Sequence, residues 1–313
     1  MRKALLILAV ILGIGYLGIS YYFSSLILAT PPRRTTEVSH SELKKGWGYD
    51  QAALEDALPT PREVEFPSVT EGLTLRGWLY EGADSVDCGL VMAHGITENR
   101  ANMFKYASIF EDCGCDMLMY DHRGHGTSDG DQLTGGYYEG KDVLEAVKFL
   151  QTEKALSPKQ IGLIGESWGA AAVLIAASQN DQLGFVLAES PYSSWNDAIV
   201  YRANKQFGSW VKAFIPMAYT FVELLGDTDM DGASPALAAS DIAIPTLIVH
   251  SSIDTITTPD HSLRIAEQLD PKWGEARILE WNAWHAHNAL ARPDEYKQMV
   301  INHFGALDVQ LCE

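Results

Sequence analysis

Six short apolar runs, separated by segments of helix length, are the feature that most constrains the fold of this chain. They are GLVMAHG (89–95), DMLMYD (116–121), IGLIGES (161–167), FVLAES (185–190), PTLIVHS (245–251) and RILEW (277–281). Apolar runs without polar alternation are typical of parallel strands covered on both faces, because each crossover deposits a helix on one side of the sheet. The sequence therefore predicts an α/β fold with a mainly parallel sheet. Ligands of such sheets bind beyond the carboxyl ends of the strands.

Two segments depart from this alternation. Residues 63–66 and 73–80 flank the turn TEG, which predicts an antiparallel hairpin. Residues 191–240 contain no strand candidate but hold aromatic residues throughout. A structureless loop of that length is improbable inside a compact domain. We therefore expect 191–240 to form a helical cap insertion over the strand ends, with an aromatic inner surface.

The beginning of the chain predicts a membrane anchor and a linker. Residues 4–29 contain no charged side chain, and about 20 apolar helical residues suffice to cross a hydrocarbon core of ~30 Å. The apolar run continues past the expected position of a signal-peptide cleavage site, which favours an uncleaved, single-pass transmembrane anchor over residues 1–30. Residues 31–62 hold four prolines and predict a linker with one short helix near 51–57. The folded domain then occupies 63–313.

Charge and cysteine content exclude several classes of function. The net charge of −18 argues against a nucleic-acid partner, since phosphate binding depends on clustered Lys and Arg. Basic residues flank the anchor on both sides, so its orientation stays open. The four cysteines lack metal-ligand spacing and are interpreted as small core or surface residues. DTDMDG (227–232) matches half of a calcium loop, but Ala238 stands where a glutamate is needed, so we interpret it as a solvated turn. No metal and no cofactor are expected.

Residues 165–169, Gly-Glu-Ser-Trp-Gly, lie between an apolar run and an alanine-rich helical segment. This is the G-x-S-x-G pattern, in which the serine occupies a tight turn from strand to helix, so Ser167 is the candidate nucleophile. The amino terminus of the helix favours a developing anion there. The backbone N–H groups of Trp168 and of Ile96, in the loop HGIT after an earlier run, are the candidate oxyanion donors. Gly95 is expected to let that loop turn inward.

A serine nucleophile needs a base and a carboxylate that orients the base, in the chain order serine, acid, histidine. Asp254 stands directly beyond the run 245–251, whereas Asp241 precedes that run and lies at the wrong end of the sheet. WNAWHAHNAL (281–290) carries two histidines after the last run, of which His285 comes first and His287 second. Asp254 is therefore the candidate acid, and one of the two histidines the base.

The motifs HGIT, YDHRGHGTSDG (120–130) and GESWG, with the late aspartate and histidine, resemble the α/β-hydrolase superfamily. More narrowly, they are similar to membrane-anchored bacterial serine hydrolases of the serine-aminopeptidase, lysophospholipase and esterase-like branch. The resemblance covers residue 63 to the end and implies an α/β-hydrolase fold. His285 matches the pattern A-x-H-A-x-S, with Asn288 in place of the serine, so the resemblance implies that His285 is the base and His287 a rim residue.

The resemblance also bears on the other histidines and on the cysteines. It implies a structural role for His122 and His125, and we interpret His94 as a brace of the HGIT loop; a metal site formed by these three is the alternative. In the superfamily's sheet, the strands that begin at Cys88 and at the 113/115 cysteine pair are neighbours. One disulfide between them is therefore an open alternative if the domain faces an oxidising compartment.

The function implied is that of a serine hydrolase in a bacterial inner membrane. Ser167 would cleave an ester, thioester or amide, most simply as a carboxylesterase or lysophospholipase-like enzyme acting on an apolar, small-molecule or lipid-like acyl substrate. Two alternatives stay open. One is a peptidase, with Glu166, Glu189 or Glu223 holding the peptide terminus. The other is a catalytically silent, membrane-anchored scaffold.

Overall fold

An eight-stranded sheet forms the centre of the computed structural model, which describes residues 1–36, 53, 55–56, 58–83 and 86–309. Its strand order is β1-β2-β4-β3-β5-β6-β7-β8. The strands are β1 Arg62–Pro67, β2 Thr74–Tyr80, β3 Gly89–Ala93, β4 Asp116–Tyr120, β5 Ile161–Glu166, β6 Phe185–Glu189, β7 Thr246–Ser251 and β8 Gly274–Leu279. The order and the helices around the sheet are those of the α/β-hydrolase fold, as expected from the sequence.

The strand directions match the two patterns in the sequence. β1 and β2 pair antiparallel as the hairpin, and β2 pairs antiparallel with β4. All the other pairings are parallel, from β4 through to β8. The predicted position of the last strand is wrong by two to three residues. The run RILEW predicts a strand over 277–281, whereas β8 begins at Gly274 and ends at Leu279. β8 is an edge strand with only intermediate burial, so its first residues carry no apolar signal.

Helices cover both faces of the sheet. They are α1 Arg2–Leu28, α2 Phe104–Phe110, α3 Tyr137–Lys154, α4 Trp168–Ser178, α5 Trp195–Phe207, α6 Ile215–Gly226, α7 Pro235–Ala238, α8 Pro259–Ala266, α9 Asn288–Ala291 and α10 Pro293–Gly305. One core contains buried side chains of α3, α4 and α8, and the core on the opposite face contains those of α2 and α10. α4 is buried along almost its whole length, which agrees with its apolar composition on every side.

The segment expected to form a cap is helical. α5, a short 3₁₀ helix at Ser209–Ala213, α6 and α7 follow one another between β6 and β7, with no strand among the described residues there. Its inner aromatic residues Tyr192 and Trp195 contact Trp168, at ring-centroid distances of 6.0 and 6.2 Å. Other cap aromatics pack on α1 instead of facing the sheet. The DTDMDG segment forms the turn after α6, where the hydroxyl of Tyr138 donates to the carbonyl of Asp227 at 2.8 Å.

The N-terminal helix α1 has 27 residues, and an 18-residue stretch of it has a mean hydropathy of 2.2 and is hardly buried in the protein. Such a helix is long and apolar enough to cross a membrane. The residues after it, taken from the sequence as the start of a linker, are bound to the domain: Arg33 donates to the carbonyls of Gly126 at 3.1 Å and Gly130 at 2.8 Å. The helix expected near 51–57 lies largely outside the described residues, of which 53, 55 and 56 are helical.

A disulfide joins Cys88 to Cys115, with a Cα–Cα distance of 4.8 Å. The interpretation of the cysteines as small core or surface residues is therefore wrong for these two, and the bridge left open as an alternative is present. Cys113 is disulfide-bonded as well. Each cysteine directly precedes a residue of the β3–β4 pairing, in which Gly89 lies opposite Asp116. Parallel pairing thus brings the two Cα atoms within the range that a disulfide requires.

Candidate active site

Ser167 occupies the sharp turn between β5 and α4. Its backbone has φ 50° and ψ −111°, a strained conformation for a residue with a side chain. The flanking glycines are required by space, since a Cβ at Gly169 would lie 2.0 Å from the carbonyl oxygen of Ala93. A Cβ at Gly165 would lie 2.5 Å from the carbonyl oxygen of Gly169. The close approach of α4 to the sheet therefore holds the serine hydroxyl beyond the strand end.

The three side chains selected from the sequence meet in one hydrogen-bonded line. The hydroxyl of Ser167 lies 2.8 Å from Nε2 of His285, and Nδ1 of His285 lies 2.6 Å from Oδ2 of Asp254. The serine can donate to Nε2 while the Nδ1–H donates to the carboxylate. This is the arrangement in which an imidazole can remove the serine proton.

Asp254 is buried and held by several donors. Burial raises the pKa of its carboxyl group, but hydrogen bonds from His250 and His285 outweigh burial and bring the pKa well below its usual value. Nε2 of His250 lies 3.2 Å from Oδ2, and the N–H of Ile256 donates to Oδ1 at 2.8 Å. Asp254 therefore stays ionised beside the imidazole. The sequence analysis did not identify His250 as part of the site, because its only signal is a histidine inside an otherwise apolar strand.

Buried polar groups hold the loop that carries His285 in position. Glu189, at the end of β6, accepts hydrogen bonds from the backbone N–H of Asn288 at 2.8 Å and from the hydroxyl of Tyr106 at 2.9 Å. Nζ of Lys105 donates to the carbonyl of Ala286 at 2.7 Å. Ala286 itself has φ 52°, a conformation that a side chain rarely adopts without such support. These contacts set the direction in which the imidazole points.

His287, expected at the rim of the site, is instead half-buried behind it. Its Nδ1 hydrogen-bonds to the carbonyl of His285, and it does not line the cavity next to Ser167. Burial, together with the nearby positive charge of Lys105, lowers the pKa of His287 to about 4. A neutral ring bonded to the loop backbone stabilises the conformation of the loop.

The two residues expected to supply the oxyanion donors line the same cavity as Ser167. Trp168 begins α4, so its N–H has no acceptor within the helix. Ile96 lines the same cavity as Ser167, in the loop after β3. The turn of that loop depends on Thr97, with φ 69°, and not on Gly95 as the sequence suggested. The N–H of Gly95 instead donates to Glu166 at 3.2 Å, which ties the loop to the residue before the serine.

Three buried histidines brace this loop. Nδ1 of His94 lies 2.7 Å from the carbonyl of Gly95, and its Nε2 accepts the N–H of His122 at 3.1 Å. Burial lowers the pKa of all three rings, and for His125 it does so to about 3. The three imidazoles are therefore neutral in the folded protein. Their contacts fit the structural roles expected from the sequence.

Because these three histidines stay neutral in the folded protein, we predict that the protein loses stability in mild acid. The unfolded chain binds a proton at each histidine below pH ~6.5, whereas the folded protein does not until much lower pH. Stability is therefore full above pH ~6.5 and falls as the pH decreases from there, by up to about 1.4 kcal/mol per pH unit for each such histidine. Urea unfolding between pH 7 and pH 5 measures this slope. His125→Asn should reduce this slope by the contribution of about one bound proton, about 1.4 kcal/mol per pH unit. A free energy of unfolding that is constant over this range would contradict the prediction.

A cavity of about 630 Å³ opens beside Ser167, within the size range of small-ligand sites. Most of the lining is apolar, and three parts of the chain contribute most of it. The loop at Ile96 and Thr97 forms one side, the cap helices α5 and α6 form another, and the end of α1 forms the third. The contribution of α1 was not foreseen from the sequence. Ser167 thus lines a largely apolar space.

Known proteins share this architecture. Residues 85–236 match the family model described as serine aminopeptidase, S33. An esterase of Pyrococcus furiosus has a TM-score of 0.66 and 21% identity, over 88% of this chain and 98% of its own. The uncharacterized protein YqkD of Bacillus subtilis is 28% identical over 304 residues, 96% of each chain. The thiohydrolase aneE of Aspergillus aculeatus is 33% identical over 135 residues, 42% of each chain. The strand order and the likeness to the esterase agree, and together they show that the chain has the α/β-hydrolase fold.

Proposed function

We propose that this protein is a serine hydrolase that cleaves carboxylic esters of apolar acyl groups. One observation carries the proposal: the hydrogen-bonded line from Ser167 through His285 to Asp254, next to an apolar cavity. A base within 3 Å of a serine hydroxyl, itself oriented by an ionised carboxylate, is the arrangement of an activated nucleophile. A catalytically silent scaffold would need neither this alignment nor the strained serine.

The reaction follows from these contacts. Nε2 of His285 removes the hydroxyl proton as Oγ of Ser167 bonds to the acyl carbon, and the N–H groups of Ile96 and Trp168 stabilise the resulting oxyanion. The imidazolium then gives its proton to the leaving alcohol oxygen, whose bond to carbon breaks. Water then attacks in the same way: it loses a proton to His285 as its oxygen bonds to the acyl carbon. The bond from that carbon to Oγ of Ser167 breaks, Oγ recovers the proton from His285, and the acid is released. Asp254 stays ionised and holds Nδ1–H throughout.

Esters suit this site better than peptides do, because the candidate acids for holding a peptide terminus are engaged elsewhere. Glu166 is buried and paired with Lys105, and Glu189 is buried beneath the loop of the base. Glu223 lies on α6, where it accepts a hydrogen bond from the backbone of Met230. None of the three is among the described residues that line the cavity. A positively charged amino terminus would therefore find no acidic partner there.

The same structure supports a single-pass membrane anchor with the catalytic domain on an oxidising side. α1 has the length and hydropathy of a span. Disulfides such as Cys88–Cys115 persist in oxidising compartments and are rare in the cytosol. Arg2 and Lys3, before the apolar stretch, would then remain on the cytoplasmic side. The positive-inside rule gives no preference here, because basic residues also follow the helix at Arg33 and Arg34, so the disulfide alone carries this orientation.

A fluorophosphonate probe tests the proposed nucleophile, because it phosphonylates activated serines only. We expect the full-length protein in detergent to be labelled, and Ser167→Ala to lose all labelling while keeping its unfolding temperature. Ser178→Ala, at the far end of the same helix α4, is the matched control and should be labelled like the wild type.

Two outcomes would contradict the proposal. A folded wild type that is not labelled would support a silent scaffold. A labelled wild type that cleaves alanine p-nitroanilide with a higher kcat/KM than p-nitrophenyl butyrate would be a peptidase, and the argument from the buried glutamates would be wrong.

A further inference from the structure

The second half of α1 is built into the catalytic domain. The hydroxyl of Tyr16 lies 3.2 Å from the carbonyl of Ala213, and its ring stacks on Phe214 at 5.3 Å. Further along, the ring of Phe23 meets that of Phe207 at 5.3 Å and that of Trp210 at 6.0 Å. The helix therefore lies along the cap over several turns, and it is not a tether that ends at the domain surface.

The end of α1 is also fixed in position. The carbonyl of Leu28 accepts the N–H of Leu133 at 2.8 Å, and Ala29 forms a bridge with Gln132. Arg33 follows, bonded to the carbonyls of the loop after β4. In the last two turns of α1, Phe23 and Ile27 line the cavity that contains Ser167. One wall of the candidate acyl site is thus made by the apolar helix itself.

The length of a membrane span places this wall at the bilayer surface. A span needs about 20 helical residues, and one that begins after Lys3 ends near Phe23. The α1 residues from Tyr16 to Phe23 pack on the cap, so the part of the cap beside Phe23 would lie at the level of the lipid headgroups. The part beside Tyr16, seven residues earlier, would enter the acyl region by about 10 Å. Trp210, next to Phe23 and 55% exposed, is the kind of residue found at that level.

The cap as a whole is acidic, but the stretch of it that faces α1 and the cavity is basic. Residues 198–222 contain three basic side chains and no acidic one, in a chain whose net charge is −18. Two of them, Arg202 and Lys205, are exposed and line the cavity, whose described lining includes no carboxylate. Basic side chains near a bilayer surface are attracted to anionic headgroups. The net charge of the whole chain hides this local excess.

We propose that the substrate is an acyl lipid of the bilayer, whose acyl chain enters the cavity alongside α1, and that Phe23 and Ile27 form the wall that selects the chain. This rests on the proposed serine hydrolase function. The ester carbonyl would reach Ser167 while the headgroup stays near Arg202 and Lys205. The anchor would therefore act as a specificity determinant of the enzyme as well as its attachment.

The test uses the full-length protein in vesicles of phosphatidylcholine and phosphatidylglycerol, with 4-methylumbelliferyl palmitate as the long-chain probe and the acetate as the short one. Ile27→Trp should lower kcat/KM for the palmitate about tenfold or more, because it fills the cavity, and change that for the acetate less than twofold. Leu17→Trp adds the same side chain to an exposed position of α1 and should change neither. Ile27→Ala should shift the preference of a chain-length series towards longer chains.

A second arm identifies where the substrate comes from. A palmitoyl chain is retained by a bilayer, so the initial rate should be at least tenfold higher when enzyme and palmitate ester share vesicles than when they are in separate ones. Equal rates would overturn entry from the bilayer. A similar change in both esters with Ile27→Trp, or no change in either, would overturn the role of α1. If the wild type does not hydrolyse even the acetate, it is the proposed hydrolase function that fails.

Discussion

His285→Ala should lower kcat/KM for p-nitrophenyl butyrate by about 10⁴-fold or more. Without the imidazole, none of the described side chains lies within hydrogen-bonding distance to take the proton of Ser167 during attack or return it to the leaving group. The oxyanion donors and the cavity are left unchanged, so a small residual rate over that in water should persist. Initial-rate assays of the purified full-length variant and wild type, at equal protein concentration, measure the ratio of the two kcat/KM values.

The neighbouring histidine provides the matched control. His287→Ala removes a ring that bonds to the carbonyl of His285 but does not face the cavity. It should lower kcat/KM by no more than about tenfold, through a looser loop, because its ring has no direct part in proton transfer. If His287→Ala abolishes activity while His285→Ala keeps it, the assignment of the base is wrong.

Asp254→Asn should lower kcat by about 10⁴-fold. An amide can present its N–H to Nδ1 of His285, which then becomes an acceptor and leaves the proton on Nε2. A protonated Nε2 faces Ser167 at the 2.8 Å separation of the folded site and cannot accept the serine proton. The loss should shrink as the pH is raised, because hydroxide or deprotonated serine then substitutes for the base.

Asp241 serves as the control for this substitution. It is exposed and precedes β7, whereas Asp254 follows that strand at the catalytic end of the sheet. Asp241→Asn should keep kcat within twofold of the wild type. Equal losses in the two variants would indicate a general effect of charge on the domain, and retained activity in Asp254→Asn would remove the aspartate from the site.

The sheet and the three principal side chains could be predicted because their signals are local. Parallel strands buried on both faces appear as uninterrupted apolar runs, and five of the six runs coincide with strands. Ser167, Asp254 and His285 each follow the end of a strand, and the carboxyl ends of neighbouring parallel strands lie along one edge. Their convergence therefore follows from chain order once the sheet is recognised.

Other parts of the site left no such signal. His250 contacts Asp254 from within β7, and Glu189 supports the loop of the base from the end of β6. Both contacts depend on how strands and loops pack, and a polar residue in an apolar run does not reveal its partner. The same holds for α1: an apolar helix shows no polar face from which to predict that Phe23 and Ile27 turn towards the cavity.

The disulfide between Cys88 and Cys115 encloses the stretch of chain that carries the oxyanion loop and Lys105. A cross-link over this separation of 27 residues lowers the conformational entropy of the unfolded chain. In the loop-closure description this amounts to about 3.5 kcal/mol at 25 °C, a large part of the 5–15 kcal/mol by which typical domains are stable. In the membrane orientation proposed above, a molecule that has not yet reached the oxidising side lacks that part of its stability, so its most stable form would arise only after transfer to that side.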